Sequence, residues 1–122
     1  MRPRIDDCWF GSITVEGVRY EHDIVIRLSG KIRKRNKALS KAVYGTSHIL
    51  SLAEIKDLHR PKAERLIIGT GHDARVELSP AAAAFLAKRG CEVELLPTPE
   101  AIERWNAVDG KILGLFHIWS TS

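Results

Sequence analysis

Long apolar runs are missing from this 122-residue chain. None approaches the ~18 residues that a transmembrane helix requires, so no span is expected. The opening residues, Met1-Arg2-Pro3-Arg4-Ile5-Asp6-Asp7, hold no apolar h-region and bring in acids early. They read as neither a secretory signal nor a mitochondrial transit peptide. Cysteine is scarce: Cys8 and Cys91 lie far apart, and neither sits in a CxxC pair. Free thiols in a reducing, cytoplasmic setting are expected rather than a disulfide or a zinc site. His22, His48, His59, His72 and His117 contain no i, i+4 pair, so neither a metal nor a cofactor is expected. No Gly-x-Ser-x-Gly occurs, and the cysteines lack a catalytic context, which leaves nucleophilic catalysis without support.

Acids are absent from Ile24 to Ala53, and that gap shapes the charge of the whole chain. The net charge of +4 arises from seven cations between Arg27 and Lys41, against a remainder of 12 cations and 15 acids. If the segment after Gly30 is extended, Lys31, Arg33 and Arg35 share one face. They are then a candidate polyanion contact. The plainer account is that such cations keep an edge strand from pairing with other chains. Only Tyr44 lies near the basic block. The lack of interleaved aromatics counts against single-stranded nucleic acid as the partner.

What is present describes an ordinary globular domain, with 44% hydrophobic and 28% charged residues. One domain over residues 1–122 is expected, long enough to bury roughly two-thirds of its unfolded surface. Trp9 to Val15 reads as a strand, Glu16-Gly17 as a hairpin turn and Val18-Arg19-Tyr20 as the return. Asp23 to Leu28 is a further strand, while Asn36 to His48 has no clear pattern. Ser51 caps a helix from Leu52 to about His59, with Glu54 placed to complete a capping box. Arg65 to Ile68 suits a strand buried on both faces, and Gly69-Thr70-Gly71-His72-Asp73 forms the turn after it. Ser79-Pro80 opens a second helix that ends before Gly90. Cys91 to Leu96 is a strand, Thr98-Pro99 begins a third helix, and Lys111 to Ile118 is the last strand. A strand, helix and strand joined by such short linkers make a parallel βαβ unit. The C-terminal half is therefore α/β, with antiparallel hairpins added at the N-terminus.

In an open α/β sheet, ligands collect beyond the carboxyl ends of the strands. Gly69, Thr70, Gly71 and His72, the helix start at Thr98, and His117 all fall there. Two glycines one residue apart let backbone amides approach a ligand, and a helix N-terminus adds positive potential. Together they suit a carboxylate or phosphate. The competing account makes the glycines a tight turn, Thr98 a helix cap, and His117 a hydrogen-bonded core residue. The missing third glycine and the absence of Gly-Lys-Ser/Thr exclude a dinucleotide fingerprint and a P-loop. His72 beside Asp73 is the one candidate acid/base for an enzyme acting on a small acidic or phosphorylated substrate.

The ordered set Phe10-Gly11-Ser12-Ile13, Tyr20, Asp23-Ile24-Val25-Ile26, His48, Leu66-Ile67-Ile68-Gly69-Thr70-Gly71, Leu78-Ser79-Pro80, Pro97-Thr98-Pro99-Glu100-Ala101, Trp105-Asn106 and Gly114-Leu115-Phe116-His117 resembles domain-of-unknown-function family four-nine-eight. The match runs across almost the whole chain. It departs from the family pattern at His72, where an amide side chain is common, at Trp105, where tyrosine is usual, and in the basic segment from Lys31 to Lys41. The resemblance implies a single compact α/β domain, with a central, mostly parallel mixed sheet flanked by helices and extra antiparallel hairpins. It implies no established catalytic activity. Family members with assigned roles act as assembly or regulatory factors, so the expected partner is a protein or a small anionic ligand at the glycine turn.

Overall fold

A computed structural model describes residues 2–72 and 75–118. The chain begins with an antiparallel sheet of β1 (Ile5–Trp9), β2 (Ser12–Val15) and β3 (Val18–Tyr20). The aromatic and β-branched run from Trp9 to Val15, expected as one strand, is broken at Phe10-Gly11. Gly11 takes φ 91°, and its N–H donates to the Ile118 carbonyl at 3.0 Å. The chain reverses there, and Trp9 pairs with Ser12. The Glu16-Gly17 turn forms as read, with φ of 47° and 82°.

The central sheet follows with β4 (Ile24–Ile26) and β5 (Ile32–Lys34). Helix α1 (Ala38–Tyr44) occupies the stretch that had no readable pattern, and its helical end at Gly45 is left-handed. Then come β6 (Ile49–Leu50), α2 (Leu52–Leu58), β7 (Arg65–Thr70), β8 (Glu77–Leu78), α3 (Pro80–Lys88), β9 (Glu92–Leu96), α4 (Thr98–Ala107) and β10 (Ile112–His117). Ser51 and Ser79 cap α2 and α3, accepting from the Glu54 and Ala82 amides. The capping box is half made, because the Glu54 carboxylate turns inward to Arg35 while the Ser51 amide donates to Ser40 Oγ.

The five-stranded sheet has the order β5-β4-β10-β7-β9. β10, β7 and β9 pair in parallel, and β4 opposes both of its neighbours. Four of the five strands thus share one direction. β7 lies between β9 and β10, so the crossover through α4 skips one strand. β6 and β8 form a separate parallel pair.

Alternation along β7 and β10 divides the core into two layers. Leu66, Ile68, Leu113 and Leu115 face Leu50, Ile55, Leu58 and Leu86. Ile67, Ile112 and Phe116 face Ile5, Ile13, Ile102 and Trp105. The second layer explains how the N-terminal sheet is held: the Trp105 indole N–H donates to the Pro3 carbonyl at 2.8 Å. Asn106 clamps Ile5 from both sides, accepting its N–H at 3.0 Å and donating to its carbonyl at 2.8 Å. Among the described residues, no helix is long and apolar enough to cross a membrane.

Candidate functional site

The glycine turn lies at the carboxyl end of β7, as the sequence indicates, but its donors face inward. Gly71 has φ 93°, a conformation that disfavours any side chain. Its N–H donates to Thr98 Oγ1 at 2.9 Å, and its carbonyl accepts the Thr98 N–H at 3.0 Å. The Thr98 hydroxyl donates in turn to the His117 carbonyl at 2.6 Å. A Cβ on Gly69 would stand 2.9 Å from Thr98 Oγ1 and 3.1 Å from Phe116 Cδ1. The glycines therefore let the start of α4 press against the ends of β7 and β10. Thr98 is not a helix cap either: Pro97 holds the N-cap position, with no side-chain cap bond. The Gly71 and Thr98 amides are thus both engaged in a brace of hydrogen bonds.

His72 stands apart from that brace. Its ring centroid is 6.0 Å from that of Phe10 at an interplanar angle of 50°. Its Nδ1 is buried without a hydrogen-bond partner among the described residues. Asp73, the expected neighbour of a catalytic His72, lies outside the described residues.

Across the other face of the same strand ends runs a buried polar network that sequence reasoning missed. Asp23 precedes β4, His117 ends β10, and Thr70 ends β7 opposite His117. Asp23 Oδ2 lies 2.7 Å from His117 Nδ1, and Oδ1 accepts the Ile118 N–H at 3.0 Å. Arg35 enters between two acids, donating from Nη1 to Asp23 Oδ2 at 3.0 Å and from Nε to Glu54 Oε2 at 2.6 Å. Its third arm donates to the Ser47 carbonyl, and Ser40 Oγ donates to Glu54. Asp23, Arg35, Glu54 and His117 are at most 3% exposed. Arg35 was expected on a surface face with Lys31 and Arg33. Instead its side chain is interior, because two buried carboxylates require a cation that can serve both. Lys31 and Arg33 remain exposed. One signal was available: the acid-free stretch from Ile24 to Ala53 is bounded by Asp23 and Glu54, the two acids that hold Arg35.

Burial by itself would raise the Asp23 pKa. The His117 hydrogen bond and charge, the Ile118 amide and Lys37 outweigh it and hold the carboxyl at about 2. An ionised Asp23 only accepts, so His117 Nδ1 carries the proton on that side of the ring. The other ring nitrogen, Nε2, is buried without a partner among the described residues. His48 packs edge-on against this ring, with centroids 5.5 Å apart at 78°. Burial, then His117, Arg75 and Arg35, push the His48 pKa down. The buried Nε2 of His48 and Oγ1 of Thr70 are likewise unpartnered among the described residues. An Asp–His pair orients a general base in hydrolases. Here His117 is 0% exposed, and the pair joins strands β4 and β10. Among the described residues, no group of three or more His, Cys, Asp or Glu side chains is placed to hold a metal ion.

The family model described as "Protein of unknown function (DUF498/DUF598)" matches residues 5–111. The chain belongs to the DUF498/DUF598 family. Solved relatives of this DUF498/DUF598 chain agree with the fold. The crystal structure of conserved hypothetical protein PH1505 from Pyrococcus horikoshii OT3 is 31% identical. That match covers 95% of this chain and 98% of that one, with a TM-score of 0.89. The protein MT938 is 32% identical over 96% of this chain and 98% of its own, with a TM-score of 0.81. A Mth938-like domain from Bordetella pertussis, solved by solution NMR, is 20% identical and covers 98% of this chain and 88% of its own. Its TM-score of 0.66 marks a likeness of fold alone.

Proposed function

We propose that this DUF498/DUF598 chain acts by binding a protein partner, as an assembly or regulatory factor, through the tip of its first hairpin. The observation that carries this reading is the exposure of Trp9 (71%) and Phe10 (55%) at the β1–β2 turn. Large aromatics are costly to leave in water and are the side chains that most often anchor protein interfaces. The tip is tied down by the Gly11 bond to Ile118, and Phe10 stands beside His72 at the glycine turn. A tethered turn loses less conformational freedom on docking than a free one. The engaged amides of Gly71 and Thr98 favour this reading over a small anion at the turn.

Site-specific photo-crosslinking in cell extract tests it. A photo-reactive residue at Phe10 is expected to capture a defined set of proteins that is lost when Trp9→Ser is added. Val43, 62% exposed on α1, is the comparison position. The same captured set from both positions would reject the hairpin tip as the contact, and a captured second copy of the chain would make the contact self-association.

A further inference from the structure

A concavity lies between the β4–β5 hairpin, the start of α1 and the end of α2. Its volume is about 630 Å³, and its walls include Arg27, Arg33, Lys34, Arg35, Lys37 and Asp57. That volume falls within the roughly 300–1,000 Å³ typical of small-molecule sites. Its charge divides into two groups. Arg35 is engaged by Asp23 and Glu54, and Lys37 Nζ lies 3.8 Å from Asp23. These two cations balance the two buried acids. Arg27, Arg33 and Lys34 are then opposed only by Asp57 among the ionised walls. Arg33 and Lys34 are exposed and have no ion pair among the described residues.

We infer that this cleft binds a compact ligand carrying two or more phosphate groups. Guanidinium groups take phosphate oxygens through paired hydrogen bonds, and an ammonium adds a point charge. Among the described residues the cleft has no aromatic wall, so a nucleobase lacks a stacking platform there and the ligand is read through its phosphates. The floor is prearranged. Arg35 ties the end of the β4–β5 hairpin to α2 and to the Ser47 loop, so residues on either side of it lose little freedom on binding. Arg27 Nη1 donates to the Asp57 carbonyl at 3.3 Å, linking the two walls. Asp57 interrupts the cationic lining, which suits a short ligand better than a long polyanion. The cleft uses none of the hairpin-tip residues, so the two sites fail or succeed separately.

Titration calorimetry of the whole chain with orthophosphate, pyrophosphate and tripolyphosphate tests the inference. A single-stranded oligonucleotide series serves as the competing class. Tripolyphosphate is expected to bind roughly tenfold more tightly than orthophosphate at low salt, and to weaken as salt rises. The double variant Arg33→Ser/Lys34→Ser is expected to weaken tripolyphosphate binding roughly tenfold. The control Lys62→Ser/Lys88→Ser removes the same charge from exposed positions outside the cleft, and is expected to change affinity by less than about twofold. Circular dichroism confirms that both variants are folded. Absence of binding, or an equal loss in both variants, overturns the cleft as a site. Oligonucleotide affinity that exceeds tripolyphosphate and grows with length overturns the ligand class in favour of nucleic acid.

Discussion

Asp23 anchors the buried network through a single carboxylate. It accepts from the Ile118 amide just past β10, a histidine and an arginine at once. Its folded pKa of about 2 lies below the ordinary 3.8. A depressed carboxyl contributes stability above its unfolded pKa and loses it as pH falls through the folded value. Urea midpoints are therefore expected to fall between pH ~4 and ~2, with this group contributing about 2 kcal/mol. Asp23→Asn is expected to flatten that limb while lowering stability at neutral pH. Arg35→Leu is the sharper test of the network, because it strands two buried carboxylates. A loss of about 3–5 kcal/mol is expected from chemical denaturation. A loss below about 1 kcal/mol would mean that Asp23 and Glu54 are protonated or hydrated instead.

At the level of elements, α4 decides how the two sheets meet. Thr98 ties its first turn to β7 and β10, and Asn106 ties its last turn to β1. Thr98→Val keeps the shape but leaves the Gly71 N–H and the His117 carbonyl without that partner. It is expected to cost about 1–3 kcal/mol in thermal or urea unfolding, while Thr98→Ser costs less. Asn106→Asp sets a carboxylate oxygen against the Ile5 carbonyl. It is expected to raise hydrogen exchange at Ile5 and its β2 partner before the central sheet opens. The Pro-rich start of α4 and the Trp105-Asn106 pair could be read as helix features. Their partners, a turn 27 residues away and a strand 101 residues away, could not.

At the scale of the whole molecule, the described residues present an apolar surface at the β1–β2 tip and a cationic one around β5 and the start of α1. Trp9→Ser changes an exposed side chain, so stability is expected to shift by no more than about 0.5 kcal/mol while partner capture falls. Denaturation and crosslinking on the same sample separate those effects. A fall in both would assign Trp9 to the fold. The basic segment divides in the same way. Arg33 and Lys34 line the cleft as exposed cations, whereas Arg35, one residue further on, forms its floor as the cation at the centre of the buried network.

Sequence by itself determined most of the elements, because helix caps, turn glycines and strand alternation are local. Ser51, Ser79 and Gly17 each act within a few residues of chain, and the apolar run through Leu66-Ile67-Ile68 suits a strand buried on both faces. It also determined that the glycine turn lies at the carboxyl end of that strand. It did not show α1, whose single buried residue, Ser40, leaves no apolar stripe to read. Only the tertiary structure decided what the turn is for. Hydrogen bonds carry no record in the sequence of which distant partner they will find. Whether the Gly71 amide met a ligand or Thr98 depended on how closely α4 could approach. The same holds for Arg35, which local pattern assigns to a surface face and two distant acids draw inside.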